Sequence, residues 1–84
     1  MAVSFERIER VIERRACSRR QIYVDIGRGL LTPPIRRGKL ALFVTHEMDE
    51  IIRAEIAGKS EDERRVLVRQ LLERRTQGQQ AAVA

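Results

Sequence analysis

The chain has no tryptophan, one cysteine, one histidine and two prolines among its 84 residues, and aromatics make up only 4%. Scarce aromatic rings argue against recognition by base stacking, on which single-stranded nucleic-acid binders depend. The single cysteine, Cys17, cannot form an internal disulfide, and no group of residues has metal-ligand spacing. No metal or other cofactor is therefore expected, and a reducing cytoplasm suits the chain. No apolar run approaches the ~20 residues that span a bilayer, and no signal peptide is visible, so no membrane partner is expected. His46 is the lone histidine, beside Glu47. One histidine and one distant cysteine make no triad, so no enzymatic activity is expected. Glu47, Asp49, Glu50 and Glu55 read as a solvated helix face rather than as acid–base pairs.

What is present fits a small helical domain. Hydrophobic residues reach 43% and charged residues 35%, a balance that favours folding over disorder. Eighty-four residues allow one domain with a modest core. The net charge of +5 is unevenly placed. Residues 1–39 hold ten Lys and Arg against four Asp and Glu, a net +6, whereas residues 40–84 hold seven against eight, a net −1. A basic segment attracts phosphates and releases condensed counterions. Charge alone does not separate this from a solvated basic surface.

Ile8, Val11 and Ile12 recur at helical spacing and predict a first helix over roughly Glu6 to Arg15. Ala16 and Cys17 make a turn, with Cys17 toward the core as a small hydrophobe. Ser18 and Gln21 have the spacing of a capping box and open a second helix. Gly27 and Gly29 end it, Gly29 in the left-handed conformation, and Leu30 and Leu31 return to the core. Thr32-Pro33-Pro34 cannot continue a helix. The runs Ile35-Arg36 and Leu40-Ala41-Leu42-Phe43-Val44 read as strands joined by the turn Arg37-Gly38-Lys39. Thr45 caps a third helix, with Met48, Ile51, Ile52 and Ile56 on its apolar face and Gly58 at its end. Ser60 to Glu63 form a second capping box, opening a fourth helix to about Arg75 with the stripe Leu67, Val68, Leu71 and Leu72. Residues 76–84 lack periodicity and read as a flexible tail.

At 100° per residue, Ile22 and Ile26 lie about 40° apart and must face inward. The opposite face of the second helix then carries Arg20, Val24 and Arg28, flanked by Tyr23 and Gly27 on one side and Gln21 on the other. In a major groove, Arg pairs with guanine acceptors, Gln with adenine, and Val contacts a thymine methyl. Arg19 and Tyr23 are placed for phosphate. Asp25 would repel phosphates, so a structural contact with Arg14 or Arg15 is expected. Arg36, Arg37 and Lys39 cluster at the hairpin, where a wing would grip phosphates or enter the minor groove.

Residues 7 to about 57 resemble the AlpA-type regulators and the related phage excisionases. The matching residues are Arg7-Ile8, Val11, Ser18-Arg19, Ile22-Tyr23, Ile26, Arg28-Gly29, Pro34-Ile35, Gly38 and Glu47-Met48-Asp49 before Ile52. The resemblance implies a mostly α fold, a winged helix-turn-helix akin to the MerR DNA-binding domain with a short β-hairpin wing, here extended by a C-terminal helix. It implies a sequence-specific double-stranded DNA binder of a mobile element, acting as recombination directionality factor or transcription regulator, with an integrase as possible partner. It points to Arg19, Arg20, Gln21, Tyr23, Arg36, Arg37 and Lys39 as DNA-reading residues. Ala16 stands where the family has a turn glycine, which argues against a left-handed turn there.

The expected organisation is a DNA-binding domain over residues 1–59, a C-terminal helix over 60–75 for packing or self-association, and a tail over 76–84. The alternative function is an antitoxin-like or adaptor module whose fourth-helix stripe docks a partner or a second copy. A homo-oligomer on DNA is compatible with both.

Overall fold

A computed structural model describes residues 3–83, with side chains to Gln77. It shows a small, mostly helical α/β domain with four helices and a three-stranded antiparallel sheet. Strand β1 (Phe5–Glu6) is followed by helices α1 (Ile8–Arg15) and α2 (Arg19–Gly27), strands β2 (Ile35–Arg37) and β3 (Leu40–Val44), and helices α3 (Thr45–Ile56) and α4 (Glu61–Val83).

The helix boundaries follow from local chemistry. Arg7 is extended at φ −80° and starts α1 without a side-chain cap, so Glu6 lies in β1 and not in the expected helix. Ala16 closes α1 in the left-handed region at φ 53°, ψ 48°, with its N–H and that of Cys17 donating back to Glu13 and Ile12. The turn is therefore left-handed despite the missing glycine, and an L side chain there carries strain. The Ser18 hydroxyl accepts from the Gln21 N–H at 3.1 Å, but only half the capping box forms, because the Gln21 side chain turns to Asp25. Gly29 at φ 75° ends α2, and the Leu30 N–H reaches the Asp25 carbonyl at 2.9 Å, the pattern of a Schellman stop.

The hairpin is tighter than expected. Arg37 lies in β2 opposite Leu40, leaving Gly38 and Lys39 as the loop. Gly38 takes φ 61° at the first loop position, where two-residue hairpins of type II′ require a glycine. Strand β3 is central, with β1 and β2 at its two edges. Thr45 proves to be the first residue of α3, after Val44 as cap. Its N–H donates to the Ser4 carbonyl at 2.9 Å, so the β1 pairing is prolonged into the helix.

The core joins every layer: Ile8 and Val11 of α1, Ile22 of α2, Leu31, Phe43 of β3, Met48 and Ile51 of α3, and Val68 and Leu71 of α4. Ile12, Cys17, Ile26, Leu67 and Leu72 pack against its rim. The fourth-helix stripe thus lies on the chain's own core. Burying a side chain such as Leu71 stabilises by about 1.5–3 kcal/mol. Ile56, expected on the apolar face of α3, is 81% exposed. It stands in the last turn of α3, where its neighbour Glu55 meets Arg64 of α4 while Ile56 itself points to solvent. Ser60 and Glu63 form a complete capping box, at 2.9 and 3.1 Å. Helix α4 continues past Arg75 to Val83; the tail expected over 76–84 lies mostly outside the residues whose side chains are described.

Candidate nucleic-acid interface

Helix α2 is held at its base by one arginine. The Arg15 guanidinium donates to Asp25 at 2.9 Å and to Glu55 at 2.7 Å, joining α1 to both α2 and α3. Arg15 and Asp25 are nearly sealed from solvent, their side chains 7% and 9% exposed. Burial alone would lower the Arg15 pKa, but the hydrogen bonds to Glu55 and Asp25 outweigh it and raise it above the ordinary value. Asp25 is therefore the anchor of the helix, as its awkward position on a basic helix implies. Arg14 takes the other acids, bridging Glu6 at 2.6 Å and Asp49.

With Ile22 and Asp25 buried, Arg20, Tyr23, Val24, Gly27 and Arg28 face outward. Val24 and Tyr23 are 41% and 44% exposed. Around this face the structure sorts the candidate residues. Arg19 pairs with Glu9 at 3.0 Å, and that hydrogen bond holds the Glu9 carboxyl below the usual range. The Gln21 amide donates to Asp25 at 2.8 Å and is held along its own helix. Arg28 pairs with Glu61 of α4 at 2.6 Å, an approach that nothing in the spacing of the sequence signals. Arg20 has no acidic partner among the described residues.

The hairpin cations do not converge on one point. Arg36 faces Ala41, on the sheet side that carries Phe43 toward the core. Arg37 lies on the opposite side, its guanidinium 5.6 Å from the centre of the Phe5 ring. That cation–π contact directs it across the sheet instead of off the tip. Lys39 stands exposed in the two-residue loop.

The segment leading into β2 is tied to α3 and α4. Arg75 donates twice to Glu47, at 2.8 and 2.5 Å, and once to the Pro33 carbonyl at 3.0 Å. Glu47 is 1% exposed, which corrects its reading as part of a solvated face. Asp49, Glu50 and Glu55 of the same helix also pair, with Arg14, Arg74 and Arg15. Among the described residues no group of His, Cys, Asp and Glu could hold a metal ion, and no helix is long and apolar enough to cross a membrane. The chain matches no family model, no curated protein and no solved structure.

Proposed function

We propose that the chain is a winged helix-turn-helix protein that binds double-stranded DNA, with α2 in the major groove and the β2–β3 hairpin against the backbone or minor groove. The observation that carries this reading is the outer face of α2. Arg20 and Val24 stand exposed there while Ile22 and Asp25 root the helix. An exposed valine between arginines gains nothing from water but suits a groove edge lined with thymine methyls. Arg36 and Lys39 supply cations without acidic partners among the described residues. Following the resemblance of residues 7–57, the cellular role is that of an excisionase or a transcription regulator of a mobile element, in the cytoplasm, alone or with an integrase.

Fluorescence anisotropy with duplex DNA tests the binding. With about four phosphate contacts the salt slope would be near −3.6, so affinity should fall roughly a hundredfold between 50 and 200 mM salt. Arg20→Ala should cost about 1–3 kcal/mol on the preferred site and relax its sequence preference. The control is Arg7→Ala with Arg10→Ala, two exposed arginines at the start of α1 that have no acidic partner among the described residues. If that pair weakens binding as much as Arg20→Ala with Arg36→Ala, the surface is merely basic and the reading fails.

The adaptor alternative keeps one observation in its favour. Ala54, Lys59, Glu63, Val66 and Leu67 line a shallow apolar hollow of about 370 Å³ between α3 and α4. The stripe itself weighs against it, since Val68 and Leu71 are buried in the chain's own core.

A further inference from the structure

The last turn of α2 meets the first turn of α4 through a small charged lattice. The Arg28 guanidinium donates to Glu61 at 2.6 Å. Arg65 Nε donates to the Arg28 carbonyl at 2.9 Å, and its two terminal nitrogens approach Asp62 at 3.1 Å and Glu61 at 3.5 Å. The Glu61 carboxylate thus sits between two guanidinium groups, one of them on the outward face of α2. Arg65 also packs over Gly29, its Cγ 3.8 Å from where a side chain would begin, an ordinary contact distance; the glycine is favoured there by its φ of 75°.

We propose that Glu61 is an intramolecular stand-in for phosphate that withholds Arg28 from DNA and so sets the affinity of the α2 face. The inference rests on the DNA-binding reading above. Arg28 and Glu61 are each 45% exposed, so their pair is screened by water and weak. A weak carboxylate partner is one that a duplex phosphate, backed by the field of its neighbours, can displace. The competition leaves Arg28 neutralised in the free protein and makes each binding event include the loss of one internal ion pair. Arg65 keeps the Arg28 backbone in place while the side chain changes partner, because its bond is to the carbonyl. Glu61 is accordingly a positioning residue, acting on DNA only through Arg28.

The experiment compares Glu61→Gln with Asp62→Asn in salt-dependent anisotropy titrations, after circular dichroism shows both folded. Both variants remove one negative charge from the same helix turn, but among the described residues Asp62 pairs with Arg65 and not with Arg28, and it is 95% exposed. Glu61→Gln should bind duplex DNA about twofold to fivefold more tightly at 50 mM salt, the worth of one exposed ion pair, and steepen the salt slope by about one. Asp62→Asn should change both by much less, and adding Arg28→Ala to Glu61→Gln should erase the gain. Equal effects of the two acid variants, or a gain that survives Arg28→Ala, would overturn the proposal. If wild type binds and Glu61→Gln merely matches it, the tether alone falls. If no variant binds duplex DNA, the functional reading falls and takes the tether with it.

Discussion

Replacing Arg15 with Met keeps the volume and removes the charge, and it isolates the pair that seats α2. Asp25 would then keep one donor, the Gln21 amide at 2.8 Å, inside a site where its side chain is 9% exposed. Glu55 matters less, being 33% exposed and still within 3.4 Å of Arg64. Removing one partner of a buried pair costs about 3–5 kcal/mol. The lower end applies here, because Glu55 is hydrated and one hydrogen bond to Asp25 survives. A domain of 84 residues has roughly 4–13 kcal/mol in total. The loss is thus a large fraction of the stability, read as a drop in the urea midpoint of the 222 nm signal with little change in slope. Arg15→Met with Asp25→Leu removes both charges and should recover most of the loss, since no buried charge is left unpaired: the Gln21 amide is exposed to water and Glu55 keeps Arg64. A single variant within 1 kcal/mol of wild type, or a double variant no more stable than the single, would refute the claim that Arg15 and Asp25 fix α2 on α1.

Ala16→Gly should stabilise the domain. Relief of a left-handed alanine is worth about 1–2 kcal/mol, offset by about 0.5–1 kcal/mol of glycine backbone entropy. The net gain of about 0.5–1 kcal/mol raises Tm by roughly 2–8 °C, and a fall in Tm would show that the turn is not strained. Ser60→Ala should move the Glu63 titration. The Ser60 backbone N–H, and then the Ser60 hydroxyl, hold the Glu63 carboxyl below the usual range. Its stabilising contribution is therefore present above the unfolded carboxylate value of about 4.3 and is lost as pH falls through the lower folded value. In a carbon-13 titration of the carboxyl, Ser60→Ala should raise that folded value part of the way back, because the backbone donor remains; an unmoved titration would show that the hydroxyl does not act on the carboxyl.

Periodicity and punctuation carried most of the fold. Ser18, Gly29, Gly38, Gly58 and the Ser60–Glu63 box each act within a few residues, so their meaning is visible locally. What was not legible depends on distance. Strand β1 is two residues long and exists because β3 offers an open edge beside Phe5 and Glu6. Thr45 has the chemistry of a cap, but its backbone is already helical and its N–H is taken by Ser4. The acids of α3 alternate with apolar residues as a solvated face would, yet each meets an arginine from α1 or α4. Of the site residues, Arg20 and Val24 follow from helix geometry alone. Gln21, Arg28 and Arg37 do not, since Asp25, Glu61 and Phe5 claim their side chains.

Those claims change how the charge of the chain should be read. The +6 of residues 1–39 is a sum along the sequence, whereas any partner meets charges in space. Three of the acids that neutralise that segment, Asp49, Glu55 and Glu61, come from the other half of the chain. They are unequal in effect. Asp49 and Glu55 reach Arg14 and Arg15, arginines whose side chains are mostly covered, and so belong to the framework. Glu61 reaches an arginine on the outward face of α2, where its side chain is 45% exposed. A buried pair cannot open without loss of packing, but an exposed one exchanges partners at little cost. The same ion-pair chemistry therefore does two jobs in one small domain. Inside, it seats α2 on α1; at the rim, it sets how much of that helix's charge stands unpaired, which is the quantity the DNA-binding proposal turns on.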